Sequence, residues 1–256
     1  MKQRCIVLTL ALAAFQPARA QDVVILGEIH DNPAHHAVQA ERVAKLKPRA
    51  IVFEMLTEAQ AGRVTPDLRN DAEALAEALD WRTSGWPDFS LYHPIFTAAP
   101  EATVYGALVS RDGARAVFEE GLTAYFGDDA PLYGLDRDLP AEEQSAREAV
   151  QRAAHCDALP EEILPGMVAV QRLRDAVLAR AVVQAVEATG GPVAMITGNG
   201  HARIDWGVPS YLARVAPDLE VWTLGQTEEA QALDGGFDEV VSAPAVDRPD
   251  PCAAFQ

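Results

Sequence analysis

The sequence lacks the short motifs that identify several common classes of enzyme. It has no Gly-x-Ser-x-Gly nucleophile elbow, no Walker phosphate loop, no His-Glu-x-x-His zinc motif and no Cys-x-x-Cys pair. Gly198-Asn199-Gly200 starts like a dinucleotide fingerprint, but Arg203 stands where the third glycine belongs. A Rossmann cofactor site is therefore not expected.

Long apolar runs are also missing. No stretch reaches the roughly 18 uninterrupted apolar residues that a membrane helix needs. Residues 1–20 combine basic residues, an apolar run from Cys5 to Phe15 and the small-residue site Ala18-Arg19-Ala20, which is the pattern of a cleaved secretory signal peptide. We therefore expect residues 1–20 to be removed, and residues 21–256 to form one exported, soluble, periplasmic domain.

Cysteine is scarce, with three residues in the chain. Cys5 lies well before the predicted cleavage site, so it is poorly placed to become a lipidated N-terminus. Cys156 and Cys252 remain, and an exported chain with two cysteines is the setting in which a disulfide persists. We predict a Cys156–Cys252 disulfide, and the alternative is a pair of free thiols.

Positively charged residues are few: the chain has 21 basic and 38 acidic residues, and its net charge is -17. Loss of residues 1–20 removes Lys2, Arg4 and Arg19, three positive charges, which leaves -20. Such a surface repels nucleic acid and anionic lipid, and neither is expected as a partner. About half of the residues are apolar, which suits one α/β domain with a sizeable core.

Short apolar runs alternate with amphipathic segments, which predicts an α/β fold with a mostly parallel central sheet flanked by helices, plus a helical insertion. The opening predicts a βαβ unit of strand 23–26, a helix from Pro33 to about Lys47 capped by Asp31 or Asn32, and strand 50–53. Further helices are predicted from residue 58 and over 71–79, 114–125, 140–156, 166–189 and 209–215. Further strands are predicted over 103–109, 131–135, 193–196, 219–224 and 238–242. An aromatic loop is predicted over 81–94.

Two similar turns follow apolar runs in distant parts of the chain. Gly27-Glu28-Ile29-His30 follows the first predicted strand, and Gly198-Asn199-Gly200-His201 follows the strand at 193–196. Ligands bind beyond the carboxyl ends of parallel strands, so these turns would present two imidazoles to one pocket. Gly27 and Gly198 would allow a positive φ or a close backbone approach. For each histidine alone, the ordinary alternative is a structural role at a strand end.

Two glutamates are candidates for the same pocket. Glu54 ends the apolar run at 50–53, and Glu28 lies inside the first turn. A carboxylate beside two imidazoles can bind a metal, orient a histidine or act as a general base. The alternative for each is a helix-capping or solvated glutamate, and Glu54 is the stronger candidate.

The first helix and the aromatic loop add further candidates. Adjacent helical residues diverge by about 100°, so at most one of His35 and His36 faces the pocket. We predict that His36 is that residue, and the alternative is a histidine packed in the core.

The aromatic loop contains Trp86 and ends in Tyr92-His93, so its aromatic wall suits a flat apolar ligand, and Tyr or His can ligate haem iron. The alternative is a loop that packs its aromatics over the core.

A polar patch interrupts the long helix predicted at 166–189. Gln171, Arg174 and Leu178 share one stripe, and Asp175 lies beside it. Arg174 is placed to hold a carboxylate such as a haem propionate, or simply to pair with Asp175.

Together these motifs resemble the ChaN-like haem-binding uptake proteins of the Tiki superfamily, which also includes TraB-type proteins and erythromycin esterases. The resemblance covers nearly the whole mature chain. It is carried by Gly27-Glu28-Ile29-His30-Asp31-Asn32-Pro33 with His35-His36, Phe53-Glu54-Met55, Trp86-Pro87 with Tyr92-His93-Pro94-Ile95-Phe96, His155-Cys156, Gln171 with Arg174-Asp175, and Gly198-Asn199-Gly200-His201.

The resemblance implies an α/β fold, export, and a role in haem or iron acquisition with a haem-transport partner. In such proteins haem lies between the two subunits of a homodimer, with a tyrosine as iron ligand and a histidine near the propionates. Carried over, Tyr92 is the iron ligand, with Tyr133 and Tyr211 as alternatives, and the histidine is His30, His36 or His201. Trp86, His93, Gln171 and Arg174 complete the expected ligand-binding set.

The same superfamily contains members thought to be metal-dependent proteases, which implies an alternative. In that case His30, Glu54 and His201 bind a divalent ion such as zinc or manganese, and Glu28 serves as general base. Hydrolysis without a metal belongs to the same alternative. We expect a haem-binding protein and keep the hydrolase as the second hypothesis.

Overall fold

The structure is a computed structural model that describes residues 21–250 and 252–253. The predicted signal peptide, residues 1–20, lies outside the described residues. None of the helices in these ranges has both the length and the apolar character of a membrane span.

In the part of the chain that the structure describes, a single sheet of six parallel strands forms the centre of the molecule. The strands are β1 (Val23–Leu26), β2 (Ala50–Phe53), β3 (Thr103–Gly106), β4 (Val193–Ile196), β5 (Val221–Glu228) and β6 (Glu239–Ala243). Their order is β3-β2-β4-β1-β5-β6, and every neighbouring pair is parallel. β1, β2 and β4 are apolar throughout because both faces of the sheet are covered. The prediction of an α/β fold with a mostly parallel sheet is confirmed.

Ten helices flank the sheet in the described part of the chain. They are α1 (Pro33–Leu46), α2 (Glu58–Ala61), α3 (Ala72–Ala78), α4 (Phe89–Ala98), α5 (Arg111–Glu120), α6 (Leu122–Phe126), α7 (Ala141–Ala154), α8 (Leu164–Thr189), α9 (Asn199–Ala202) and α10 (Val208–Val215). Helices α5 to α8 lie between β3 and β4 in the chain and form the predicted helical insertion.

Local signals set the ends of the main helices. The Asn32 side chain accepts a hydrogen bond from the Ala34 backbone N–H, and Pro33 occupies the first helical position of α1. The 26-residue helix α8 ends at Gly190, which adopts the left-handed conformation with φ 75°. The chain therefore turns into β4 where the glycine-proline signal predicts.

The core has two layers, one on each face of the sheet. Alternate strand residues such as Val23 and Ile25 pack on the face covered by α8, while Val24 and Leu26 pack on the face covered by α1 and α4. All four side chains are buried. This alternation follows from the two-residue period of a strand, and it leaves the strand ends free to carry polar turns.

The prediction of an aromatic loop over residues 81–94 is wrong in its second half. Residues 81–83 form a single 3₁₀ turn, and α4 begins at Phe89 after Asp88, whose side chain accepts from the Ser90 N–H. The helix includes Pro94, yet Phe89, Tyr92 and Phe96 recur at helical spacing and are buried. Burial of this aromatic face compensates for the hydrogen bond that proline removes.

Two further predictions in the insertion are corrected. Residues 131–135, predicted as a strand, form turns with Gly134 at φ 70°. The single helix predicted over 114–125 is divided into α5 and α6 by Gly121 at φ 92°, a conformation that ends a helix. In both places a glycine with positive φ interrupts the regular structure.

The segment after β6 is held in place by a disulfide and by hydrogen bonds of Arg248. The predicted disulfide is present and joins Cys252 to Cys156, which follows α7. Arg248 makes paired hydrogen bonds to Asp31 at 2.9 Å and to Glu228 at 2.7 and 2.8 Å. The segment after β6 is thereby held against the start of α1 and against the connection from α7 to α8.

Candidate functional site

The sheet register brings the two glycine-histidine turns together. Leu26 of β1 and Phe53 of β2 both pair with Ile196 of β4, so three adjacent strands end at the same level. The residues that follow these ends are Gly27 to His30, Glu54, and Thr197 to His201. The predicted meeting of both turns and Glu54 at one edge is therefore observed.

Gly27 and Gly198 allow close approach rather than a positive φ. A Cβ atom on Gly27 would lie 2.5 Å from Asn199 Oδ1 and 2.8 Å from the Leu224 carbonyl oxygen. On Gly198, whose φ is -66°, a Cβ would lie 3.0 Å from His30 Nε2. The two turns pack so tightly that a side chain at either position would separate them.

An open cavity of about 510 Å³ lies beyond these strand ends. Its size is within the range of small-molecule sites, roughly 300–1,000 Å³. The predicted residues that line it are Glu28, His30, Glu54, Trp86, Gln171, Arg174, Gly198 and His201. Its apolar wall includes Ile29, Leu108, Val109, Val168, Leu178 and Trp206.

His30 is the more accessible of the two cavity histidines. Its Nδ1 lies 2.8 Å from Glu28 Oε1; 36% of the imidazole is exposed, whereas the Glu28 side chain is fully buried. Trp86 makes an edge contact with the ring, with centroids 5.0 Å apart. Burial is the largest effect and lowers the pKa of His30, but the Glu28 hydrogen bond and the Glu54 charge together raise the pKa above its ordinary value.

His201 lies deeper, between two carboxylates. Its Nδ1 is 2.6 Å from Asp175 Oδ1, and its Nε2 is 3.5 Å from Glu54 Oε1. Burial lowers the pKa of His201, but the charges of Glu54 and Asp175 outweigh that effect and raise it. Burial also raises the pKa of Asp175. The arrangement favours an imidazole held firmly in one orientation.

Glu54 is anchored by the second turn. Its Oε2 accepts hydrogen bonds from the Thr197 hydroxyl at 2.6 Å and the Gly198 N–H at 2.8 Å. Burial raises the pKa of Glu54, but the charges of His201 and His30 and these two hydrogen bonds outweigh burial and lower it. The carboxylate form is therefore favoured at the base of the cavity.

Three residues expected at the ligand do not line the cavity. Tyr92 is fully buried and donates its hydroxyl to Glu28 Oε1 at 2.9 Å. Burial and the Glu28 charge hold the pKa of Tyr92 well above its usual range. His36 is also buried, with Nε2 2.8 Å from the His30 carbonyl oxygen, and His93 Nε2 lies 2.9 Å from the Arg69 carbonyl oxygen.

The alternative tyrosines also lie away from the cavity. Tyr133 and Tyr211 are buried in the core on the α8 side of the sheet. Burial raises the pKa of Tyr211 to about 12. Neither phenol lines the cavity, and both contribute to the packing around α8.

The predicted metal set is brought together without forming a metal site. Among the described residues, no group of three or more His, Cys, Asp or Glu side chains is arranged to hold a metal ion. Glu54 Oε2 already accepts two hydrogen bonds, and His201 Nδ1 is hydrogen-bonded to Asp175 Oδ1. The structure gives no support to a zinc or manganese centre.

Two arginines and a tryptophan at the cavity were not anticipated from the sequence. Arg147 of α7 lies over the Trp206 ring at 5.0 Å and pairs with Glu143, and Arg203 lies over the same ring at 3.7 Å. These residues come from the insertion and from the loop after α9, and only packing of those segments brings them together. No motif in the sequence marks them.

Arg174 differs from its neighbours in lacking an ionic partner. Arg147 and Arg203 are paired with Glu143 and Asp205. Within the described ranges Arg174 forms no ion pair, and the alternative of an Arg174–Asp175 pair is not observed because Asp175 binds His201. Among the described residues that line the cavity, Arg174 is thus the one cationic side chain without an ionic partner.

The model of a protein family described as haem-binding uptake, Tiki superfamily, ChaN, matches residues 14–212 of the chain. The match covers both glycine-histidine turns and the helical insertion. No curated protein matches the chain.

A solved structure of a ChaN protein shows the same fold. The ChaN protein of Campylobacter jejuni, solved with cofacially bound haem, aligns with a TM-score of 0.60 and 18% identity over 81% of this chain and 82% of that chain. The type III effector HopBA1 is a weaker likeness, with a TM-score of 0.47 and 12% identity over 87% of this chain and 88% of its own.

Proposed function

This chain belongs to the ChaN-type haem-binding uptake family of the Tiki superfamily, and we propose that it binds haem in the cavity at the carboxyl edge of its sheet. One observation carries the proposal: a solvent-accessible imidazole, an aromatic and apolar wall, and an unpaired arginine face a single cavity of about 510 Å³. Haem needs these three features, because it has a flat apolar ring, a central iron and two carboxylates.

His30 is the proposed iron ligand. Its Nδ1 is committed to Glu28, while Nε2 has no hydrogen-bond partner in the described part of the chain. A neutral imidazole nitrogen is a common axial ligand of haem iron. Tyr92, in contrast, has no exposed surface and would have to leave both the core and Glu28 to reach a ligand in the cavity.

Arg174 is the proposed partner of a propionate, with Gln171 one turn away on α8. An arginine binds a carboxylate through charge-assisted hydrogen bonds, which are worth about 1.5–3 kcal/mol each. We expect Arg174→Met to weaken haem binding about tenfold or more. Arg180→Met is the matched control, because Arg180 lies on the same helix but packs on Phe126 and does not line this cavity.

Titration with haemin, followed by Soret absorbance, tests the function. The wild type and Arg180→Met should both give a saturable band with similar affinity, and Arg174→Met should need a higher haemin concentration. The absence of saturable binding by the wild type would refute the haem proposal. Equal affinity in all three proteins would refute the role of Arg174 while leaving haem binding intact.

A homodimer is part of the proposal. The cavity is open to solvent, so one face of a bound porphyrin would remain uncovered by a single chain. The ChaN relative binds haem cofacially, and a second copy of this chain could cover that face. Analytical ultracentrifugation with and without haemin tests this: haem should shift the protein to twice the monomer mass, and a monomeric haem complex would contradict it.

We also propose that the protein is exported and takes part in haem or iron acquisition with a transport partner. The support is the signal-like sequence of residues 1–20 and the disulfide, which persists in oxidising compartments. Mass spectrometry of the protein from a periplasmic extract should give an N-terminus at Gln21. An uncleaved protein found with the cytoplasmic fraction would contradict export.

One observation favours hydrolysis as a second candidate. His201 is oriented by a buried carboxylate at 2.6 Å, as general-base histidines are. Such a base could activate water without a metal. Ester and peptide turnover by the wild type, lost in His201→Ala, would support this candidate, and no turnover of such substrates would count against it.

A further inference from the structure

A buried chain of polar side chains lies behind the His30 imidazole. Tyr92 donates its hydroxyl to Glu28 Oε1 at 2.9 Å, and His30 Nδ1 lies 2.8 Å from the same oxygen. The Glu28 side chain and Tyr92 are fully buried, whereas the His30 ring is partly exposed. The chain therefore runs from the core to the His30 ring, which lines the cavity.

We propose that Glu28 and Tyr92 are positioning residues that hold the His30 proton on Nδ1, so that the free electron pair of Nε2 points into the cavity. Glu28 acts directly and Tyr92 acts through Glu28. The expected effect on the reduction potential of bound haem rests on the proposed function. The expected position of the proton in the haem-free protein does not.

The direction of the hydrogen bond follows from the chemistry of Glu28. The carboxylate can only accept, so a neutral His30 must donate from Nδ1. Away from water this charge-assisted bond is stronger than a neutral one and selects one of the two imidazole tautomers. A carboxylate behind a ligand histidine also makes its free nitrogen a stronger electron donor.

Tyr92 weakens the hydrogen bond that His30 donates to Glu28. Its hydroxyl and His30 Nδ1 share one oxygen atom, so each hydrogen bond draws on the same electron density. Removal of the Tyr92 hydroxyl should strengthen the remaining bond from His30. Replacement of Glu28 by a neutral acceptor should weaken it. The two substitutions are therefore expected to change His30 in opposite directions.

His36 supports the arrangement from the other side. Its Nε2 lies 2.8 Å from the His30 carbonyl oxygen, which fixes the backbone of the turn. Its Nδ1 lies 3.4 Å from Glu28 Oε2, an oxygen with no hydrogen bond in the described part of the chain. A buried carboxylate with one unsatisfied oxygen costs stability. Such a cost is typical of groups kept for function.

Nitrogen NMR of the haem-free protein tests the proton position. At a pH where His30 is neutral, the wild type and Tyr92→Phe should carry the proton on Nδ1. In Glu28→Gln the population with the proton on Nε2 should rise. His155 and His93 are internal references, because backbone carbonyl oxygens accept from Nδ1 of the first and from Nε2 of the second. A wild-type proton on Nε2 of His30 would overturn the proposal.

The reduction potential of the haem complex tests the effect on the donor nitrogen. Glu28→Gln should raise the potential relative to the wild type, and Tyr92→Phe should lower it while the Soret band is retained. Shifts of the same sign, or loss of the iron ligand in Tyr92→Phe, would overturn the inference. If Glu28→Gln does not fold, Tyr92→Phe decides, since it removes one hydroxyl.

These outcomes separate the inference from the proposed function. If the wild type binds no haem, the proposed function fails and the NMR result alone decides whether Glu28 positions His30. If the wild type binds haem but neither variant changes the tautomer or the potential, haem binding stands and the positioning role is refuted.

Discussion

Gly198 controls the distance between the second turn and His30. A Cβ at this position would lie 3.0 Å from His30 Nε2, so Gly198→Ala should push the imidazole away from its place beside Trp86. Overpacking of this kind costs about 1–3 kcal/mol. We expect haem affinity to fall about tenfold, measured by haemin titration.

Gly62→Ala provides the control for that substitution. Gly62 follows α2 and does not line the cavity, and a Cβ there would make only ordinary contacts with the Glu58 and Ala59 carbonyl oxygens at 3.6 and 3.7 Å. The variant should bind haem as the wild type does. Equal affinities of Gly198→Ala and the wild type would show that the position of His30 does not matter for binding.

At the residue scale, the sequence predicted best where a strand fixes the position of a side chain. His30, Glu54 and His201 each follow a parallel strand, so their meeting required only the strand order. Tyr92 was expected at the cavity because its segment was interpreted as a loop. In the helix that actually forms, its side chain points into the core and reaches Glu28 instead.

At the scale of elements, Arg248 holds the segment after β6 against the sheet. Its hydrogen bonds to Glu228, with those from Asn32 and the Val246 N–H, lower the pKa of Glu228 to about 2, although burial acts in the opposite direction. Arg248→Met should reduce the free energy of unfolding by about 1–3 kcal/mol at pH 7. Urea unfolding of the two proteins measures the difference.

The pH dependence of that difference has a definite sign. The pKa of Glu228 is lower in the folded protein than its ordinary value of 4.5, so the stabilisation is complete above pH 4.5 and is lost as the pH falls through about 2. Arg248→Met should therefore approach the wild type in acid. Lys45→Met is a control, because its pair with Glu41 is exposed and contributes little to stability. A deficit that persists below pH 2 would contradict the assignment.

The elements of the insertion were harder to predict than those of the sheet. Strands 23–26, 50–53 and 193–196 were predicted with the bounds observed, because apolar runs buried on both faces have sharp ends. The cavity residue Arg147 and its partner Trp206 depend on how α7 and the loop after α9 pack. That packing is tertiary and leaves no local pattern.

At the scale of the whole molecule, the disulfide connects the chain terminus to the insertion. Cys156 and Cys252 are separated by 96 residues, and a closure of this length stabilises by about 2–4 kcal/mol through the unfolded state. Cys252→Ser should lower the free energy of unfolding by that amount. Adding a reductant to the wild type should reproduce the loss, and it should leave Cys252→Ser unchanged. No effect of either would show that the bond contributes nothing to stability.

The overall architecture was predicted because the signals for it are local. Strand and helix alternate along the chain, and a parallel sheet with crossing helices is the arrangement that covers both faces. The position of β4 between β1 and β2 in the sheet was not predicted, although it decides which turns meet. It depends on which apolar strands pair across more than a hundred residues, and one sequence does not encode that in any single segment.

A crystal structure of the haemin complex tests the central proposal most directly. We predict the porphyrin in the cavity at the carboxyl edge of the sheet, with iron bonded to His30 Nε2, Tyr92 still hydrogen-bonded to Glu28, and a propionate at Arg174. Iron bonded to Tyr92, or haem bound away from the two glycine-histidine turns, would contradict it.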